Sequence, residues 1–302
     1  MSTPYHVAVI GLGAMGMGAA RSCLRAGLTT YGIDLSEQAR SQLQQAGAAA
    51  VMADASPLAE TLDAVLLLVV NATQVRRILL GEAGLARHLR PGTAIMVSST
   101  IAAEEASALA TELAQLGLPM LDAPVSGGAI KADAGEMTVM AAGSDAAFDK
   151  LAPVLDAVAG KLYRVGSEPG QGSTVKIIHQ LLAGVHIAVA AEAMALASRA
   201  GVSLDLMYDV VTHAAGNSWM FENRMPRVLA GDYQARSAVD IFVKDLTLVA
   251  DTAKALRFPL PLASTALNMF LDASNAGHGQ EDDSAVIKTF SGIQLPGQEE
   301  QA

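Results

Sequence analysis

Lys176, His179 and Gln180 stand at i, i+3 and i+4 in the run GQGSTVKIIHQ, so a helix carries all three on one face. Ala183 comes next on that face and is small enough to leave room beside the lysine; His186 follows three residues later. The neighbours Ile177, Ile178, Leu181 and Leu182 are apolar. A lysine held against such surroundings is suited to taking up and returning a proton, the work of a general acid/base. The plain alternative is a lysine that extends its ammonium to solvent. His186 reads as a core histidine. The histidine spacings form no zinc site, so no metal is expected.

Gly11, Leu12, Gly13, Ala14, Met15 and Gly16 spell GLGAMG, directly after a strand pattern and at the start of a helix pattern. The first glycine permits a tight turn, the second lets the backbone approach a pyrophosphate, and the third allows close helix–strand packing. The helix N-terminus attracts the negative charge. Asp34 closes the next strand, where an acid accepts hydrogen bonds from ribose hydroxyls and repels a 2'-phosphate. No arginine immediately follows it, which favours NAD over NADP. The competing reading of Asp34 is a helix N-cap, a role Ser36 also fits.

Asn71 and Thr100 follow two further strand patterns. In an open parallel sheet the carboxyl ends of strands face the ligand, so both are candidates for the cofactor; loop capping is the alternative. Ser126, Gly127 and Gly128, in LDAPVSGG, offer a hydroxyl and approachable N–H groups to a substrate carboxylate, or simply form a turn. Lys244 and Asp245 sit on an apolar helix in FVKDLTLVA; by itself such a pair reads as a solvated patch. Trp219, the single tryptophan, reads as core.

These residues need elements to hold them. Strand patterns cover His6–Ile10, Thr29–Ile33, Ala64–Val70, Thr93–Val97 and Met120–Ala123, with helices between, including Met15–Ala26 and Glu37–Ala46. The run AVLLLVV is the clearest buried parallel strand. Late strands at Met137–Ala142 and Lys161–Val165 extend the sheet. This alternation predicts an α/β Rossmann domain, a parallel sheet with helices on both faces, over residues 1–166. After the turn-rich GSEPGQG, residues 167–302 read as an all-α domain, with helices over Ser173–Arg199, Leu204–Ala215, Trp219–Leu229, Ala238–Leu256 and Pro261–Asn275. Pro226 is placed to kink or split the third of these. The polar tail Pro296–Ala302 reads as disordered.

The bulk properties agree. A chain of 302 residues is natural for two domains, and 51% hydrophobic residues fill large cores. A formal net charge of −10 argues against a nucleic-acid partner. The one cysteine, Cys23, excludes an intrachain disulfide, suits the cytoplasm and reads as a small buried hydrophobe. Leu181–Ala200 approaches membrane length, but His186, Glu192 and Arg199 make it a buried helix and no membrane is expected as a partner.

Four motifs recur in order: GLGAMG at Gly11, DAPVSGG at Asp122, GxGxxxK over Gly170 to Lys176, and KDL at Lys244. Together they resemble the 3-hydroxyisobutyrate dehydrogenase-related, or β-hydroxyacid dehydrogenase, family from Val7 to about Phe290. The resemblance implies NAD-dependent oxidation of a hydroxyl on a small hydroxycarboxylic acid. It implies Lys176 as general acid/base, Ser126–Gly128 as the carboxylate site, and Thr100 and Lys244 at the nicotinamide cofactor. It also implies a homodimer or homotetramer joined through the helical half.

One position departs: the family pattern has Asn three residues after the lysine, where this chain has His179. His179 is therefore expected to bind substrate by orienting a second hydroxyl. The string KIIHQLLAGVHIAVAAEAMAL resembles the L-threonate branch, which implies a four-carbon sugar acid oxidised at C2. The rival substrates are 3-hydroxyisobutyrate and tartronate semialdehyde. An imine reductase shares the fold, and a non-enzymatic NAD-binding sensor is the rival of another class.

Overall fold

The computed structural model describes residues 4–296, so all but the first residue of the tail read as disordered lies outside the described residues. The chain divides into two compact units between Lys176 and Ile177.

The first unit alternates β1 (His6–Ile10), α1 (Ala14–Arg25), β2 (Thr29–Ile33), α2 (Glu37–Gln45), β3 (Ala50–Met52), β4 (Ala64–Leu67), α3 (Ala72–Leu80), β5 (Ala94–Val97), α4 (Ala103–Gln115) and β6 (Met120–Asp122). It continues through β7 (Val125–Ser126), α5 (Gly128–Ala134), β8 (Met137–Ala142), α6 (Asp145–Val158), β9 (Ala159–Gly166) and the start of α7 (Gln171–Arg199). The sheet runs β3-β2-β1-β4-β5-β6-β8-β7, with β9 on β8. From β3 to β6 every pairing is parallel.

Side chains alternate across this sheet and serve two cores. Val7, Val9, Leu66 and Met96 pack with Cys23 of α1 and Leu151 and Leu155 of α6. Ala8, Ile10, Val65, Leu67 and Ile95 pack with Val75 and Leu79 of α3 and Leu109 and Leu113 of α4. A strand buried on both faces has no polar side to show, which is why β4 reads AVLL.

The late strands join the sheet, but β8 runs antiparallel to β6 and β7. The connection over residues 127–136 is too short for a parallel crossover, which takes about a dozen residues or more. The longer α6 carries the chain from β8 to β9, and that pair is parallel. The short strands β3 and β7 were not anticipated, nor were α5 and α6. The run AVLLLVV leaves the ladder at Leu67, beside the point where β1 gives way to the glycine turn.

The second unit is helical. It holds the remainder of α7, then α8 (Leu204–Thr212), α9 (Trp219–Leu229), α10 (Val239–Ala255) and α11 (Pro261–Ala273), and ends in a 3-10 helix over Asp283–Thr289. By length and composition α7 is apolar enough to cross a membrane, yet half of its most apolar window is buried inside the protein. Helix α9 runs unbroken through Pro226. Proline removes the N–H that the Glu222 carbonyl would accept, and the Tyr208 hydroxyl donates to that carbonyl at 3.4 Å. Trp219 is not core: it opens α9 and is 51% exposed.

Candidate active site

The glycine turn joins β1 to α1 through a positive-φ residue and a close helix–turn approach. Gly11 has φ of +91°, a region that favours glycine, and its N–H donates to the Ile33 carbonyl at 2.9 Å. A Cβ at Gly16 would lie 1.7 Å from the Gly11 carbonyl oxygen, so α1 can pack this close to the turn only with glycine there. A Cβ at Gly13 would meet no protein atom within 4 Å. Gly13 is the N-cap of α1 and supplies no side-chain cap, so the first-turn N–H groups are left for an anion.

Asp34 leaves β2 beside this turn. Its Oδ2 accepts the Leu12 N–H at 2.6 Å and its Oδ1 accepts the Ser36 N–H at 2.7 Å. Ser36, not Asp34, caps α2, through the Ala39 N–H at 3.3 Å. Asp34 therefore braces the turn while adding negative charge at its rim. The Arg40 guanidinium donates to the carbonyls of Asp34 and Leu35.

Asn71 and Thr100 follow β4 and β5 and are half-buried. The capping role of Asn71 is real: it is the N-cap of α3, its Oδ1 accepting the Gln74 N–H at 2.9 Å. Ser126 ends β7. Gly127 and Gly128 follow with φ of +135° and +74°, so two successive residues need conformations that disfavour any side chain.

Lys176 sits in the second turn of α7 and is 6% exposed, so its stem does not run out to solvent. The helix turn before it is held by a residue absent from the candidates read in sequence. Asp122, fully buried at the end of β6, accepts the Gly170 N–H at 2.8 Å, the Ser173 N–H at 2.7 Å and the Ser173 hydroxyl at 2.7 Å. A carboxylate at a helix N-terminus satisfies orphan donors and complements the helix dipole. Burial nonetheless pushes the Asp122 carboxyl above the ordinary carboxylate range, with the Ser173, Gly170 and Gly172 bonds offsetting part of that. Gly172 completes the joint, since a Cβ there would meet the Asp122 and Met140 carbonyls at 2.4 and 2.6 Å. The signal was present as a polar residue closing a buried strand inside DAPVSGG.

In the second unit, His179 and Gln180 lie on α7 and Lys244 and Asp245 on α10. The His179 Nδ1 is 2.9 Å from the Gln180 Oε1, and the Gln180 Nε2 donates to the Asp245 Oδ2 at 2.6 Å. The Lys244 Nζ is 2.7 Å from the Asp245 Oδ1, in an ion pair that lacks the direction of a hydrogen bond. Asp245 is 2% exposed, so this pair is not the solvated patch its isolated sequence suggests. His186 is half-buried on α7.

Residues 6–166 match the family model described as the NAD binding domain of 6-phosphogluconate dehydrogenase, and residues 170–290 that described as the NAD-binding of NADP-dependent 3-hydroxyisobutyrate dehydrogenase. L-threonate dehydrogenase of Escherichia coli strain K12 is 71% identical, covering 97% of each chain. The chain belongs to the β-hydroxyacid dehydrogenase family. The L-threonate dehydrogenase of Cupriavidus necator is 55% identical over 98% of this chain and 99% of its own. A crystal structure of 3-hydroxyisobutyrate dehydrogenase from Salmonella typhimurium superposes with a TM-score of 0.92 at 68% identity, covering 95% of this chain and all of that one. This β-hydroxyacid dehydrogenase is an NAD-dependent enzyme with a small acid as its substrate. The glycine turn, the uncapped α1 N-terminus and Asp34 fit the cofactor.

Proposed function

We propose that this β-hydroxyacid dehydrogenase oxidises L-threonate to its 2-keto acid, with Lys176 as general acid/base. His179 is the observation that carries the substrate reading. It stands one helical turn after Lys176, where the family pattern has Asn, and relatives between 55% and 72% identical are named for L-threonate. The Salmonella structure carries the name of a different substrate, 3-hydroxyisobutyrate, which has a single hydroxyl to recognise.

In this reading Ser126, Gly127 and Gly128 hold the substrate carboxylate, and Lys176 accepts the hydroxyl proton at Nζ. In the reverse direction its ammonium returns that proton to the developing alkoxide. Bound NAD supplies the hydride acceptor. Asn71, Thr100 and Lys244 contribute to its binding, beside Asp34 and the stretch from Gly11 through Leu12, Gly13, Ala14 and Met15 to Gly16. His179 orients a second hydroxyl.

A cytoplasmic homodimer or homotetramer belongs to the same proposal, and light scattering of the purified enzyme tests the assembly. Initial rates of NADH formation on L-threonate, glycerate and 3-hydroxyisobutyrate test the substrate. L-threonate should give the highest kcat/KM; a preference for 3-hydroxyisobutyrate would overturn the reading.

A further inference from the structure

The chain His179–Gln180–Asp245–Lys244 constrains which hydrogen each partner carries. Asp245 has an ammonium 2.7 Å from Oδ1, and its Oδ2 can only accept. The Gln180 amide must therefore turn its NH2 toward Oδ2, where the separation is 2.6 Å. That leaves the amide oxygen facing the His179 Nδ1 at 2.9 Å. An amide oxygen only accepts, so Nδ1 carries the hydrogen. Flipping the amide would set its oxygen against the carboxylate. Both Gln180 and Asp245 are buried, so the mismatch would leave polar groups orphaned away from water. A neutral imidazole holds one ring hydrogen, and with it on Nδ1 the other nitrogen is an acceptor.

We propose that Gln180 and Asp245 are positioning residues that hold His179 in the Nδ1–H tautomer, so that its Nε2 accepts a hydrogen bond from a substrate hydroxyl. This tautomer is the reverse of the one a histidine side chain prefers in water, so the network has something to impose. The device reads chemistry as well as shape. A hydroxyl donates to Nε2, whereas a methyl group does not. Asn, the residue in the family pattern, presents both a donor and an acceptor and makes no such distinction. A site built to pair a substrate hydroxyl rejects the analogue lacking it, because that hydrogen bond is then not formed. The identity of the hydroxyl's owner rests on the L-threonate reading; the tautomer does not.

Two measurements on the NAD-loaded enzyme test this. Nitrogen NMR of histidine-labelled protein, with the His179 signal assigned among the six histidines by its loss in His179→Asn, reads the tautomer directly. The neutral ring should carry its hydrogen on Nδ1 in the wild type. It should shift toward Nε2–H in Gln180→Met, which removes the amide but keeps the length of the side chain. A wild-type ring in the Nε2–H form, or a tautomer unchanged in a folded Gln180→Met, would overturn the positioning claim.

The second measurement is kcat/KM for L-threonate against its 3-deoxy and 4-deoxy analogues. Wild type should discriminate by roughly tenfold or more against one of the two, and His179→Asn should lose most of that margin. Turnover of L-threonate with no discrimination against either analogue would sink the hydroxyl assignment while leaving the proposed substrate standing. No turnover of L-threonate would sink the substrate instead, and the NMR result would still decide the positioning.

Discussion

Asp122 and Ser173 make two hydrogen bonds to one another, both 2.7 Å long, one from the serine backbone N–H and one from its hydroxyl. Strand β6 thereby holds the first turn of α7, and Lys176 comes one turn later. A side chain that exchanges protons gains most from a fixed position, since small displacements cost large factors in rate. Asp122→Ala should orphan the N–H groups of Gly170 and Ser173, at about 1–3 kcal/mol for each donor left buried. Thermal unfolding should show a loss of about 2–4 °C per kcal/mol, and kcat should fall with little change in NAD affinity. An unchanged Tm and kcat would show that α7 is held by other means.

The two glycines of the turn make opposite predictions. Gly16→Ala drives a Cβ to 1.7 Å from the Gly11 carbonyl oxygen, so both stability and NAD binding should suffer. Gly13→Ala meets no protein atom within 4 Å, so the fold should be kept while the cofactor loses its close approach. Unfolding curves beside NADH fluorescence titrations separate the two. Equal stability loss in both variants would contradict this division of roles.

Asp34 is asked to brace the turn and to prefer NAD. Asp34→Ala removes acceptors from Leu12 and Ser36 and the negative charge beside the glycine turn. NAD affinity should drop by about tenfold or more, and the ratio of NADP to NAD activity should rise. An unchanged cofactor ratio would assign Asp34 to loop structure alone.

Cys23 gives a prediction in pH. It is fully buried on α1, and burial pushes its thiol up to about 12. The nucleophilic thiolate is therefore scarce in the folded chain, and a thiol reagent should label the native enzyme only as fast as it unfolds. The folded thiol holds its proton more tightly than the unfolded one. Its contribution to stability is thus full below the ordinary thiol value and declines as pH rises toward about 12. Rapid stoichiometric labelling under native conditions would contradict this placement.

Much of the candidate site's local geometry could be read from sequence because the relevant demands are local. GLGAMG marks a backbone that needs positive φ and close approach, and the i, i+3, i+4 spacing of Lys176, His179 and Gln180 is helix geometry. Both survive folding whatever the surroundings. The direction of β8 was less accessible, because it depends on the length of a connection whose small elements β7 and α5 carry weak patterns. Asp245 and Trp219 depart from their sequence expectations for a shared reason. Burial is decided by what packs against a residue, and a KD pair on a helix or a lone tryptophan contains no record of its neighbours. Asp122 was visible only as part of a motif; its role emerges once β6 and the start of α7 are seen to meet.

Lys176 as the proton-transfer residue is the claim on which the mechanism stands. The most direct measurement is the rate of NADH formation from L-threonate by wild type and Lys176→Met, with NADH affinity measured on the same samples. Wild type should turn over, and the variant should lose about 10²–10⁴ in kcat while binding NADH as before. Turnover by Lys176→Met at a rate near wild type would contradict the account.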